Sequence, residues 1–309
     1  MFDLQGHRGA RGLWPENTLT GFARAMEIGV SALELDCGVT RDGCAVVTHD
    51  PELNPDCTRD AQGQFLAQPG PAVQDLSFTQ LQAYDVGRLR PGSAYAARFP
   101  RQQSLDGERI PRLADVLSLV RARGRGQVRV CIEVKNSPEQ PDLTSAPEIF
   151  VAAVLRDVQR TDTAALVSVI AFDWRVIGAV QRLMPQIATT ALTEQQPGED
   201  TVRIGAPQPS PWLAGLDPER FDRSVVRLVK ASGAHTWGPD HLDLDALKVT
   251  QAHELGLRVV PWTVNDPADM ERLLAYGVDG MTTDRPDVLR ALLERRGVPL
   301  PPSFLSGAP

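Results

Sequence analysis

No apolar run in the 309-residue sequence approaches the roughly 20 residues of a membrane span. An integral membrane segment is therefore not expected. Cysteine is scarce: Cys37, Cys44, Cys57 and Cys131 show no C-x-x-C spacing, and Cys37, Cys44 and Cys131 fall in strand-like runs where a thiol packs as a small apolar group. A disulfide framework is not expected either. Positive charge is also short, with 32 Lys and Arg against 39 Asp and Glu, a formal charge of −7. That balance argues against nucleic acid or an anionic membrane surface as a general partner. No tract is low in complexity and no secretory leader precedes Phe2-Asp3-Leu4. As written the chain reads as cytoplasmic, with a periplasmic or secreted location if a leader has been removed. What remains is an ordinary globular composition, 42% apolar and 23% charged. A chain of this length can bury a core that needs neither disulfides nor a structural metal.

Short β-branched runs alternate with helical patterns, the sign of parallel strands joined by helical crossovers. Strands are expected at 2–7, 32–40, 128–135, 166–172, 187–192, 234–237, 257–263 and 280–283. Helices are expected after the first strand, where Leu19, Phe22, Ala23 and Met26 repeat at helical spacing, and near 112–123, 146–160, 174–184, 222–232, 243–255, 267–276 and 286–295. Eight such pairs make the repeat of an α/β (β/α)₈ barrel. The Pro-rich tail from Pro299 is expected to pack loosely or fray.

One strand is left over. Asp42-Gly43 lies between two alternating runs, a type I′ hairpin signal. A two-residue loop there pairs Arg41 with Cys44 and, following the ladder, sets Asp36 opposite His49. Glu34 joins that face because strand side chains repeat every two residues. Residues 50–110 are too long for a simple connection and are expected to form a small inserted cap within one domain spanning 1–309.

Active sites of such barrels lie at the carboxyl ends of the strands. His7, Asp36 and Glu133 fall there, Glu34 one step deeper, and the hairpin returns His49. Three inward carboxylates would repel one another unless a cation compensates, so Glu34, Asp36 and Glu133 are candidate ligands for one divalent cation, Ca²⁺ or Mg²⁺. The bland reading of the same acids is a buried ion network with Arg8, Arg129 and Lys135. His7 and His49 are candidate acid–base groups. Arg8 offers a planar fork suited to phosphate oxygens, and Lys135 faces the same interior as Glu133. Asn17 or Thr18 can cap the helix that follows, so Asn17 is either that cap or a pocket residue, and Trp262 is either an apolar wall for a carbon backbone or barrel packing. Asp284 in TTDRP is expected to cap the helix that follows, and His235, His241 and His253 are expected to be structural.

At these residues the chain resembles the glycerophosphodiester phosphodiesterase family. The run HRGARGLWPENTLTGFARAMEIGVSALELDCGVTRDGCAVVTHD is similar to its N-terminal signature, and ERIPRLADVL, IEVK, AFDW, VVPWTVND and GVDGMTTDRPDVL follow in the family's order. The resemblance spans roughly Leu4 to Leu293. It implies metal ligation by Glu34, Asp36 and Glu133, acid–base roles for His7 and His49, and Arg8 and Lys135 near the phosphate. It also implies cleavage of a small glycerophosphodiester to sn-glycerol 3-phosphate and an alcohol, within glycerol and lipid metabolism. Ala171 stands where the family often has Ser, and Cys131 where a polar residue is common. Two alternatives stay open: a phosphodiesterase acting on lysophospholipids or a sphingolipid headgroup, and a catalytically silent barrel that binds phosphodiesters. Oligomeric state, headgroup preference and which histidine is the acid stay open as well.

Overall fold

Nine of the apolar runs become strands in the computed structural model, which describes residues 2–305. They are β1 (Asp3–Gly6), β2 (Ala32–Val39), β3 (Ala45–Val47), β4 (Arg129–Val134), β5 (Val167–Ala171), β6 (Ala188–Thr193), β7 (Thr236–Pro239), β8 (Arg258–Val259) and β9 (Gly280–Thr283). Their order is β8-β7-β6-β5-β4-β2-β1-β9, all parallel, with β3 antiparallel on β2 alone. The seam between β8 and β9 is bridged by Asp279 N–H to the Val259 carbonyl (2.9 Å), Thr282 N–H to Pro261 (3.0 Å) and Val264 N–H to Thr282 (2.9 Å). Pro261 has no N–H to add to that seam, so eight parallel strands form a nearly closed barrel, as the alternating pattern implies.

The helices are α1 (Leu19–Ile28), α2 (Phe78–Leu81), α3 (Ala94–Ala97), α4 (Leu113–Gly124), α5 (Pro147–Arg160), α6 (Trp174–Leu183), α7 (Val225–Ala231), α8 (Ala246–Glu254), α9 (Pro267–Tyr276) and α10 (Pro286–Arg295). The longer ones lay an apolar stripe on the barrel; α1 buries Phe22, Ala25 and Met26 against the core that holds Leu4 and Leu33. Each such large side chain contributes about 1.5–3 kcal/mol by leaving water. Residues of the tail are tied down: Phe304 N–H donates to Met26 O at 3.0 Å and Arg290 Nη1 to Pro301 O at 2.8 Å. Residues 306–309 of that tail lie outside the described residues.

The hairpin corrects one expectation. Cys37 faces Val47, Gly38 faces Val46 and Val39 faces Ala45, a register one residue short of the expected one. A type I′ turn needs positive φ at both central residues, and here Gly43 adopts it (φ 74°) while Asp42 does not. Thr40 instead closes a three-residue loop, with Thr40 N–H on Cys44 O at 3.0 Å, Cys44 N–H on Thr40 Oγ1 at 3.0 Å and Thr40 Oγ1 on Asp42 Oδ1 at 2.6 Å. Asp36 is thereby bonded to Thr48, whose N–H meets its carbonyl at 3.0 Å, and His49 follows just beyond.

Between β3 and α4 the stretch 50–110 carries short helices and isolated bridges around Leu53, Val73, Leu81 and Ile110, which cluster with Val46. Gln103 N–H to Leu13 O and Gln102 Nε2 to Arg11 O, both 2.8 Å, fasten it to the loop after β1.

At the opposite, amino-terminal end of the barrel Asp3 is 2% exposed and accepts from Ser31 Oγ (2.9 Å) and Gln5 Nε2 (3.0 Å), with Arg129 at 2.6 Å. Burial opposes its charge, but Arg129 and these donors outweigh it and hold its pKa below the usual carboxylate range. A lowered carboxylate stabilises the fold above its unfolded pKa and loses that contribution as pH falls through the folded value. Asp3→Asn should therefore cost about 1–3 kcal/mol at pH 7. The penalty should shrink below about pH 4, which urea unfolding at pH 7 and pH 3 would measure.

Candidate active site

The turn after β1 is built to aim two side chains back at the barrel mouth. Arg8 adopts a left-handed backbone (φ 49°), which costs a non-glycine residue about 1–3 kcal/mol unless its surroundings fix it. Here they do: its N–H donates to Glu34 Oε2 at 3.0 Å, and its guanidinium reaches Glu16 Oε1 at 2.7 Å and lies 3.0 Å from Asp36 Oδ2. The Arg8 Nε–H is not directed along that last contact and has no hydrogen-bond partner. Arg8 is thus largely engaged in holding carboxylates rather than presenting a bare fork, although it lines the cavity described below.

Glu34 and Asp36 leave the same face of β2, and β4 brings Glu133 level with Asp36. One oxygen from each of the three lies within 4.8 Å of the others. Burial, then Asp36 and Glu133, push the Glu34 carboxyl well above its usual pKa. Burial works against Asp36 too, but Arg8, His49, Lys135 and His7 outweigh it and keep Asp36 ionised. Asp36 is fully buried, and its Oδ1 has no hydrogen-bond partner. An orphaned carboxylate oxygen beside an acid that is costly to ionise fits a hard cation, whose oxygen ligands sit at about 2.0–2.6 Å. The residues present therefore suit a divalent ion.

His7 follows β1 and is 8% exposed. Its Nδ1 lies 2.7 Å from Asp284 Oδ1, and its Nε2 lies 3.8 Å from Glu34 Oε2. Burial and the Arg11 charge lower its pKa to about 4 despite Asp284, so the ring is neutral near pH 7, with Nδ1–H donated to Asp284 and the Nε2 lone pair toward the acids. Asp284 does not cap α10, contrary to expectation; the residue before that helix is Arg285, which makes no capping bond. Asp284 is 2% exposed and also accepts from Arg11 Nε (2.8 Å), Arg11 Nη2 (3.2 Å) and Asn265 Nδ2 (2.7 Å). His49 lies across the cavity, half-buried, with Nδ1 2.7 Å from Asp50 Oδ1.

Arg11 and Tyr95 also belong to the site without having been singled out in the sequence. Arg11 Nη1 donates to the Tyr95 hydroxyl at 3.2 Å, and that hydroxyl donates to Glu16. The chain Arg8–Glu16–Tyr95–Arg11–Asp284–His7 therefore links the 50–110 stretch to both ends of the turn after β1. Asn17 neither caps α1, which Thr18 does, nor lines the main cavity. It is buried and donates from Nδ2 to Asp36 Oδ2 at 2.9 Å, fixing that carboxylate from beneath.

These groups converge on a cavity of about 260 Å³. One side is polar, with His7, Arg8, Glu34, His49, Glu133 and Lys135; the other is apolar, with Ile170, Phe172, Leu192 and Trp262. Lys135 Nζ is 2.8 Å from Glu133 Oε1. Trp262 Nε1 donates to Gly238 O at 2.9 Å, which turns its ring into the cavity wall. Cys131 stands opposite Glu34 and packs with Ala32, Ile170 and Leu192, Ala171 is buried in the main core, and all four cysteines are free.

The family model described as the glycerophosphoryl diester phosphodiesterase family matches residues 7–288. A glycerophosphodiester phosphodiesterase of Caldanaerobacter subterraneus subsp. tengcongensis is 27% identical over 291 residues, 94% of this chain and 97% of that one. A crystal structure from Silicibacter pomeroyi DSS-3, named as a candidate glycerophosphoryl diester phosphodiesterase, is 36% identical, with a TM-score of 0.86 over 97% of this chain and 95% of its own. An Oleispira antarctica phosphodiesterase in complex with the product sn-glycerol-3-phosphate shares the fold at 20% identity, with a TM-score of 0.67 over 94% of this chain and 96% of its own.

Proposed function

Because the chain belongs to the glycerophosphoryl diester phosphodiesterase family, we propose that it hydrolyses glycerophosphodiesters to sn-glycerol 3-phosphate and an alcohol by histidine acid–base catalysis beside a divalent cation. The observation that carries the reading is the buried carboxylate triad, two of whose members, Glu34 and Glu133, line a cavity flanked by two histidines, each held by its own aspartate. Glu34, Asp36 and Glu133 would hold the cation, whose chemistry is to polarise phosphoryl oxygens and offset their charge.

The chain's own residues supply the rest. His7, neutral and oriented by Asp284, accepts through Nε2 the proton of the nucleophile, which is water or the glycerol hydroxyl beside the phosphate. His49, oriented by Asp50, returns a proton to the departing alkoxide as the phosphorus–oxygen bond to the alcohol breaks. If the glycerol hydroxyl attacks, the cyclic phosphate so formed takes up one water, and the histidines exchange roles to open it. Lys135, with Arg8 in the cavity lining, places fixed positive charge where the phosphoryl oxygens gain negative charge, worth a few kcal/mol for each well-aimed donor. The apolar wall of Ile170, Leu192 and Trp262 suits the carbon face of a glycerol unit. The Oleispira antarctica protein's bound sn-glycerol-3-phosphate supports the same product for this chain.

The test is phosphorus NMR of sn-glycero-3-phosphocholine incubated with the protein and Ca²⁺ or Mg²⁺. The expected product is sn-glycerol 3-phosphate with free choline. Release of phosphocholine, or saturable binding with no turnover, would overturn the reading.

A further inference from the structure

The main cavity does not account for all the substrate-sized space at the barrel mouth. A groove of about 510 Å³ opens beside it and shares His49, Asp50, Glu133, Lys135 and Phe172 with it. Its far end, lined by Trp212, Glu139 and Glu199, takes no part in the chemistry described above.

Phe172 joins the two spaces. Its ring centroid lies 5.3 Å from that of Trp262 at 89°, and 6.5 Å from that of Trp212 at 78°. A row of three rings, each tryptophan set edge-on to Phe172, therefore runs from the wall of the main cavity into the groove. Lys135 Nζ stands 5.8 Å from the Phe172 centroid, at the junction. A phosphate held near Lys135 has one ester arm in each space. The arm against Ile170, Leu192 and Trp262 is enclosed by the barrel, whereas the other lies over Phe172 and Trp212.

The charges lining the groove decide what that second arm carries. Lys135 is matched by Glu133 at 2.8 Å, His49 by Asp50 at 2.7 Å, and Glu139 by Arg203. Glu199 differs: among the described residues no lysine or arginine pairs with it, and its side-chain partner is another carboxyl, Glu194. Burial and the bond to Glu199 push Glu194 up to about 8, so near pH 7 Glu194 donates its proton to Glu199 and the pair keeps one negative charge. The groove thus sets two aromatic rings, Phe172 and Trp212, beside a surplus of negative charge. Asn136, Ser137, Gln140 and Thr144 complete its lining with neutral polar groups, and its charge repels an anionic alcohol. The groove suits an ammonium, which gains both from ring faces and from a nearby carboxylate.

We infer that this groove is the binding site for the alcohol half of the substrate and selects a quaternary ammonium alcohol, its nitrogen lodged in the corner of Phe172 and Trp212 with Glu199 as counter-charge. The inference rests on the phosphodiesterase reading above.

The experiment compares kcat and KM for sn-glycero-3-phosphocholine and sn-glycero-3-phosphoglycerol, which differ in the alcohol alone. The wild-type protein favours the choline ester in kcat/KM. Trp212→Ala lowers that preference about tenfold, chiefly through KM. Trp212→Phe, which keeps a ring, retains most of it, and Glu199→Gln, an exposed isosteric change, lowers it severalfold. Turnover of both esters with equal kcat/KM, or a preference unchanged in Trp212→Ala and Glu199→Gln, overturns the inference and leaves the phosphodiesterase reading standing. Turnover of neither ester by the wild-type protein removes both.

Discussion

His7→Ala is expected to lower kcat about 10²- to 10⁴-fold, the usual range for loss of a positioned proton-transfer group. Its effect on KM should be small, because the ring's neighbours, Glu34, Asp284 and Arg11, keep the cavity's charge in place. Asp284→Asn makes the sharper test. It leaves His7 present and nearly isosteric surroundings, yet removes the charge that fixes Nδ1–H at 2.7 Å and aims Nε2 at the cavity. A loss in kcat approaching that of His7→Ala, and much less than additive in the double variant, would show the two acting as a unit. Steady-state kinetics with a thermal melt of each variant separates this from unfolding. Wild-type turnover in His7→Ala would show that this ring handles no proton.

Glu34→Gln is expected to separate activity from stability. The carboxyl is 2% exposed and is pushed toward its neutral form by burial, Asp36 and Glu133. The amide keeps an oxygen to accept the Arg8 N–H while removing the cost of protonating, or charging, an acid buried beside two others. In chelator-treated protein the variant should melt higher than the wild type, by about 1–2 °C for each kcal/mol of that cost relieved. With cation present the order should reverse, because the wild type gains linkage stabilisation of about 2.7 kcal/mol at a hundredfold excess over its dissociation constant. Turnover should fall at least about a hundredfold, consistent with a ligand traded against fold stability. A variant less stable than wild type without cation would mean that Glu34 is a structural partner of Arg8 rather than a ligand.

The barrel was legible because each strand is a short β-branched run between helical repeats, and the acids were legible because they alternate along one face of two such runs. His7, Glu34, Asp36, His49 and Glu133 needed no information from distant sequence. The hairpin register did: Asp42-Gly43 suits two- and three-residue loops alike, and the Thr40 hydroxyl bonds to Cys44 and Asp42 select the longer one. His49 still arrives at the site because it lies just beyond the ladder rather than within it. Asp284 looked like a helix cap from its neighbours Arg285 and Pro286, and only barrel closure, which sets β9 beside β1, reveals it under His7. Its position at the end of a barrel strand was the available clue. Arg11 lies one turn beyond His7, a spacing that nothing else in the sequence marks as functional. Tyr95 comes from a stretch without periodicity, and its partners Glu16 and Arg11 lie more than 80 residues away or nearly so. Asn17 and Thr18 were both open as the cap, a choice between neighbours that a short polar run does not resolve; Thr18 takes it and Asn17 turns to Asp36 instead.

Calorimetric titration of Ca²⁺ or Mg²⁺ into chelator-treated protein, with turnover of sn-glycero-3-phosphocholine followed in the same samples, bears on the carboxylate triad most directly. One ion should bind per chain, turnover should rise from near zero in proportion to its occupancy, and both should vanish in Asp36→Asn. Full turnover in protein stripped of divalent ions, or unchanged ion binding in that variant, would contradict a cation held by Glu34, Asp36 and Glu133.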